Sequence, residues 1–149
     1  MSACENASYV LKTDDDQFVD TFHLPRYWVR THLGIYFGIS FFRFLEQLPG
    51  PGDKWFLCQV LDRRPEREKS SKWFVTEEEY SGTDYPLYCA GWAYVTTVPT
   101  VSSVLEWSHD LPYFWIDDLH VTGVIPDSRG WVALYYWGYN FLNHHHHFR

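Results

Sequence analysis

A mixed α/β chain forming one domain is what this sequence predicts. Three observations lead there. Apolar, β-prone runs alternate with stretches of helical character. The length, 149 residues, is that of one domain. Apolar residues make up 46% and charged ones 21%, a balance that buries a core rather than leaving the chain disordered.

The elements follow in order. Residues 9–13, Tyr-Val-Leu-Lys-Thr, are β-prone and stop at three aspartates, Asp14, Asp15 and Asp16. Residues 18–33 read as a helix, with Pro25 tolerable only in its first turn. Pro49-Gly50-Pro51-Gly52 breaks the chain. Residues 55–61 are strand-like, and residues 62–71 carry mixed charges that suit an exposed hairpin tip or loop. Residues 72–75 return as a strand. Glu77, Glu78 and Glu79 open a short helix or turn, where carboxylates favour the N-terminal dipole. Tyr85-Pro86 marks a turn, residues 94–98 a strand, and residues 100–107 a helix after Pro99. Asp117 and Asp118 are placed to cap a helix over residues 119–124. No internal repeat is visible.

Composition narrows the function. Lys plus Arg is 12 against 19 for Asp plus Glu, a net charge of −7, which argues against a nucleic-acid coat built on clustered cations. Aromatic residues reach 20%, which suits either a ring-rich core or stacking on flat amphipathic ligands such as sugars. No run approaches the roughly 18 apolar residues of a membrane helix, and the first fifteen residues lack a signal-peptide pattern. Cys4, Cys58 and Cys89 show no C-x-x-C spacing. One disulfide among them is allowed, with its pairing open. Asn6-Ala7-Ser8 matches a glycosylation sequon.

Two carboxylate clusters carry the chemistry. Closely spaced aspartates at a strand end supply the hard oxygen ligands that divalent cations need. Asp117-Asp118 follows the apolar run Tyr113-Phe114-Trp115-Ile116 and so emerges from the core. A carboxylate beside buried rings has its proton affinity raised, which suits a general base. Taken alone, the triplet is more commonly a solvated turn and the pair a helix cap. Together they fit a division of labour in which one cluster holds a metal against a diphosphate and the other takes a proton from a hydroxyl.

Three blocks, in order, resemble the β-1,3-galactosyltransferases and β-1,3-N-acetylglucosaminyltransferases of glycosyltransferase family 31. The first is residues 7–19, Ala-Ser-Tyr-Val-Leu-Lys-Thr-Asp-Asp-Asp-Gln-Phe-Val, preceded by Cys4. The second runs from Lys72-Trp73-Phe74-Val75 through Tyr80 and Tyr85-Pro86-Leu87-Tyr88-Cys89-Ala90-Gly91 to Tyr94-Val95. The third is Ile116-Asp117-Asp118-Leu119-His120-Val121-Thr122-Gly123.

The resemblance implies a GT-A fold, incomplete on its N-terminal side, with residues 1–130 as the C-terminal part of a catalytic domain. Residues 34–52 look inserted, as a genuine loop or translated intron, and residues 131–149 form a divergent aromatic and His-rich tail. It implies a Golgi enzyme, on the lumenal side, held by a membrane anchor absent from this chain. That enzyme would transfer galactose, or N-acetylglucosamine, from a UDP-sugar with inversion to a glycan acceptor on glycoprotein or glycolipid. Carried over by position, Asp14, Asp15 and Asp16 would hold Mn²⁺ and the UDP diphosphate. Asp118 would act as the base, with Asp117 orienting it or the acceptor. Tyr85, Tyr88, Gly91 and Trp92 would lie near the sugar pocket. The family often places a histidine ligand in its C-terminal part, but the residues around His144 to His147 do not match, so a surface role is expected there. The competing reading is a non-catalytic truncated relative, or an aromatic-rich carbohydrate-binding module, whose sugar binding would need neither metal nor UDP.

Overall fold

The computed structural model describes residues 7–17, 48–131 and the backbone of residues 134–136. The expected helix over residues 18–33, most of the 34–52 segment, Cys4 and the histidines of the tail lie outside the described residues. Among the described residues, four strands form one sheet in the order β1-β3-β2-β4. They are β1 (Tyr9–Thr13), β2 (Phe56–Leu61), β3 (Tyr88–Thr97) and β4 (Leu134–Tyr136). β3 is central and antiparallel to both β1 and β2, while β4 runs parallel to β2. Mixed sheet and helix are as expected. The extra strand pairing falls inside residues 131–149, the stretch read from sequence as a divergent tail.

Register decides which side chains meet. Val10 lies opposite Thr96 and Lys12 opposite Tyr94, while across β3 Thr96 faces Phe56 and Tyr94 faces Cys58. Side chains alternate along a strand, so these six share one face. Helix α1 (Val98–Ser108) packs there through Val104, closing a core of Phe56, Cys58, Cys89, Tyr94, Val104 and Ile125. Thr97 caps α1, its hydroxyl accepting from the Thr100 N–H, and the proline after it sits in the first turn where no donor is needed. A second core cluster gathers Val75, Tyr85, Tyr88, Phe114 and Leu119.

The β2–β3 ladder breaks once. Cys58 pairs with Tyr94, but two residues on, Val60 pairs with Cys89, so residues 90–93 arch out opposite Gln59. Cys58 and Cys89 form a disulfide that spans the two ends of this bulge, with Cα atoms 5.5 Å apart. This resolves the pairing that the sequence left open.

Three elements depart from expectation. β3 starts at Tyr88, six residues before the predicted strand. Residues 72–75 do not form a strand, and Phe74 makes only an isolated bridge to Glu66. The Arg67 guanidinium satisfies carbonyls there instead, donating to Val75 O and Tyr80 O at 2.7 Å each. The last helix is composite: α2 (Asp117–Leu119) passes into a π-helical turn (His120–Val124) and then α3 (Ile125–Asp127). Ile116 is its N-cap and no side chain caps it, so Asp117 and Asp118 lie inside the first turn rather than before it.

Candidate active site

The two carboxylate clusters meet at Gly91. β1 ends at Thr13, opposite Ala93, and the chain continues along β3 with the Asp14 N–H donating to the Trp92 carbonyl. Asp14 therefore arrives beside the bulge. The Lys12 ammonium reaches Asp14 Oδ1 and the Gly91 carbonyl, each at 2.5 Å. On its other side Gly91 abuts Asp118. A Cβ built on Gly91 would stand 3.0 Å from Asp118 Oδ2 and 3.2 Å from Asp118 Cβ. The bulge supplies the kink and the glycine supplies the room, so a carboxylate can rest against the backbone.

Asp118 is held from behind as well. Its Oδ1 accepts from the Leu119 N–H at 2.9 Å. Its carbonyl accepts from the Thr122 hydroxyl at 2.6 Å, and that same hydroxyl accepts from the Cys89 N–H at 2.8 Å. Thr122 thus ties the turn bearing Asp118 to the start of β3. Gly123 lets this turn approach, since a Cβ there would fall 2.9 Å from Tyr88 Cβ.

Burial sets the electrostatics. Asp118 is half-buried and its carboxyl is raised above the usual carboxylate range, first by burial and then by the charge of Asp117. The backbone N–H groups of Leu119 and Gly91 pull the other way without cancelling the rise. Asp117, next to it, is exposed. Tyr94 is pushed up to about 12, by burial first and then by the charges of Asp117, Asp118 and Asp14. One buried phenol feeling all three charges is a second sign that the clusters converge. Tyr88 is raised by burial and then by Asp118.

The three aspartates at the end of β1 are not equivalent. Asp14 is half-buried and engaged by Lys12, while Asp15 and Asp16 are exposed. Gln17 donates to Asp16 Oδ1 at 2.8 Å. Among the described residues, no three His, Cys, Asp or Glu side chains gather into a metal cage. The arrangement fits a cation in a narrower sense. Hard divalent ions at phosphate sites take one or two carboxylates and complete their shell with phosphate oxygens and water, which the outward carboxylates of Asp15 and Asp16 allow. His144 to His147 lie outside the described residues.

Of the residues expected near the sugar, Gly91 and Trp92 lie on the bulge, and the Trp92 indole donates to Gln59 Oε1 at 3.1 Å. Tyr85 and Tyr88 are buried, and their rings pack edge-on against each other while Tyr85 also meets Tyr80 and Phe114. They belong to the second core cluster, with Val75, Phe114 and Leu119, rather than to an open stacking face. Sequence reasoning missed Lys12, Tyr94 and Thr122. Lys12 and Tyr94 were legible as strand neighbours only once the register was known. A cavity of about 600 Å³ opens beside this centre, with Lys12, Tyr94, Phe56, Tyr113 and His120 in its wall.

Comparison with known proteins fits this geometry. A model of the family described as galactosyltransferase matches residues 1–130. The chain is 29% identical over 118 residues to β-1,3-galactosyltransferase 5 of Homo sapiens, covering 79% of this chain and 33% of that protein. It is 30% identical over 119 residues to acetylgalactosaminyl-O-glycosyl-glycoprotein β-1,3-N-acetylglucosaminyltransferase of Homo sapiens, covering 79% and 26%. To β-1,3-galactosyltransferase 1 of Mus musculus it is 25% identical over 118 residues, covering 79% and 31%. The chain spans about a third of the length of the curated relatives it matches.

Proposed function

The chain belongs to the galactosyltransferase family, and on that premise we propose that it forms part of a GT-A catalytic unit for β-1,3 glycosyl transfer. The unit moves a hexose, galactose or N-acetylglucosamine, from a UDP-sugar to a glycan acceptor with inversion. Residues 1–130 are the C-terminal part of that unit and residues 131–149 its divergent tail. The observation that carries this reading is the Gly91 joint, where Lys12 brings Asp14 to one side of a glycine and Asp118 rests on the other.

A sugar hydroxyl is a poor nucleophile near neutral pH and needs a base within hydrogen-bond reach. Asp118 is that base. Its half-buried carboxylate takes the proton as the acceptor oxygen attacks, and its raised proton affinity makes it a better acceptor than a free aspartate. Asp117 is exposed beside it and orients the acceptor. The attack is in line with the departing UDP, so the anomeric centre inverts and one carboxylate suffices. Asp15 and Asp16 would hold Mn²⁺, which when bound neutralises the charge building on the diphosphate. Lys12 keeps Asp14 paired. Gly91 and Trp92 shape the sugar-facing wall, with Tyr85 and Tyr88 beneath it. We place the unit on the lumenal side of the Golgi membrane. The Cys58–Cys89 disulfide supports an oxidising compartment.

The test is UDP binding and transfer by the intact protein with and without Mn²⁺. Asp118→Asn should abolish transfer and leave Mn²⁺-dependent UDP binding in place, whereas Asp16→Asn should weaken both. Transfer at the wild-type rate by Asp118→Asn would remove the base assignment. Sugar binding that ignores UDP and metal, with no transfer, would favour a carbohydrate-binding module instead.

A further inference from the structure

We infer that Trp73, stacked on Trp115, forms a subsite for a pyranose ring of the acceptor glycan, away from the sugar that reacts. The inference rests on the transferase reading and extends it to a loop that the mechanism does not use.

Trp73 is 51% exposed even though two groups already touch it. Its ring lies parallel to that of Trp115, at an interplanar angle of 7° with centroids 6.0 Å apart. The Lys72 ammonium stands 4.8 Å from its centroid. Half in water, the indole forgoes part of the gain that full burial would bring and keeps apolar area open to a ligand.

The loop that presents Trp73 is fixed. Arg67 donates to the carbonyls of Val75, Tyr80 and Gly82. The Val75 N–H donates to Glu66 O at 2.9 Å, and the Val75 side chain is fully buried. Thr76 and Glu79 form a reciprocal capping box, in which the Thr76 N–H donates to Glu79 Oε2 at 2.8 Å and the Glu79 N–H to Thr76 Oγ1 at 3.2 Å. A preorganised aromatic face binds without paying to order its own loop.

The position ties the platform to the chemistry. Trp115 is half-buried and precedes Asp117 by two residues and Asp118 by three. The pair thus sits on the segment that leads into Asp118, so a subsite there serves acceptor units beyond the sugar that reacts. The chemistry also selects a sugar. A pyranose offers an apolar C–H face for the indole and a rim of hydroxyls for the Lys72 ammonium. A protein partner would need a far wider apolar area. The other exposed large apolar side chains among the described residues are Leu11 on β1, Val98, Val101 and Leu105 on α1, and Tyr113 on the cavity wall.

The experiment compares wild type, Trp73→Ala and Trp73→Tyr in the intact protein, with UDP-galactose and UDP-N-acetylglucosamine as donors. The acceptors are the alternating galactose/N-acetylglucosamine tetrasaccharide in its two forms, ending in either sugar, and the methyl β-glycoside of each single sugar. Trp73→Ala should raise KM for the tetrasaccharide about tenfold, the change that ~1.4 kcal/mol of lost contact gives. KM for the methyl glycoside, KM for the donor and kcat should stay unchanged, and Trp73→Tyr should restore most of the loss. Equal effects on long and short acceptors, or no effect on either, overturn the subsite. Tetrasaccharide transfer at the wild-type rate by Asp118→Asn removes the base assignment, a separate result. No transfer by wild type to any of the four acceptors contradicts the proposed activity itself.

Discussion

Asp118 is where burial and function pull against each other. Its carboxyl is raised in the folded chain, so the fold favours the protonated form while proposed catalysis needs the charged one. Between the unfolded carboxylate range and the raised folded value, the folded state binds more protons than the unfolded one. Stability therefore falls as pH rises through that window. Two outcomes follow. The acid limb of the kcat/KM profile should lie above the range of a free aspartate, read by transfer rates across pH 3 to 8, roughly the span bracketing free Asp and neutral water. Asp118→Asn should be at least as stable as wild type at neutral pH, with the gap closing in wild type's favour as pH falls, read by thermal melts. A neutral-pH melt well below wild type would mean that the carboxylate stabilises the fold rather than straining it. The sequence showed the carboxylate and its aromatic approach from Tyr113-Phe114-Trp115-Ile116. It did not show the counterweight, because the opposing N–H of Gly91 comes from strand β3, 27 residues earlier in the chain.

At the level of elements, the bulge in β3 and the π-helical turn after Asp118 act as one device. π turns and bulges recur at functional sites because each re-aims a side chain. Here Gly91 leaves the space and Thr122 bridges the two pieces. Gly91→Ala should push Asp118 by a few tenths of an ångström or more. With displacements near 1 Å costing about a hundredfold in rate, kcat should drop by roughly one to two orders of magnitude with little change in melting temperature. Thr122→Val should strand the buried Cys89 N–H and cost about 1–3 kcal/mol in urea unfolding. Periodicity gave β1, β2 and α1 almost to the residue. It missed the first half of β3, the part that carries Gly91 and the bulge. It also drew a strand over residues 72–75, where the backbone makes only an isolated bridge to Glu66 and the Val75 carbonyl accepts from the Arg67 side chain. Side-chain donors of that kind leave no period in a sequence.

For the whole molecule, the disulfide and the sheet hold the site together. Cys58–Cys89 closes a loop of 31 residues at the bulge itself. Removing it as the Cys58→Ser, Cys89→Ser pair should lower stability by about 3–4 kcal/mol on the chain-entropy account, checked by urea denaturation without reductant. Because the bridge spans the two ends of the arch carrying Gly91, transfer should fall more steeply than the folded fraction does. The family was readable from three short blocks in order. Their spatial meeting was not, since residues 14 and 118 are joined through a lysine on β1 and a glycine on β3 that only the register brings side by side. That meeting is best tested by paramagnetic broadening of backbone amide signals in the intact protein on adding Mn²⁺ with UDP. The account predicts that the Gly91, Asp118 and Leu119 amides broaden together with those of Asp15 and Asp16, and that Asp16→Asn abolishes the effect. Broadening confined to residues 14–17, with Gly91, Asp118 and Leu119 unaffected, would contradict it.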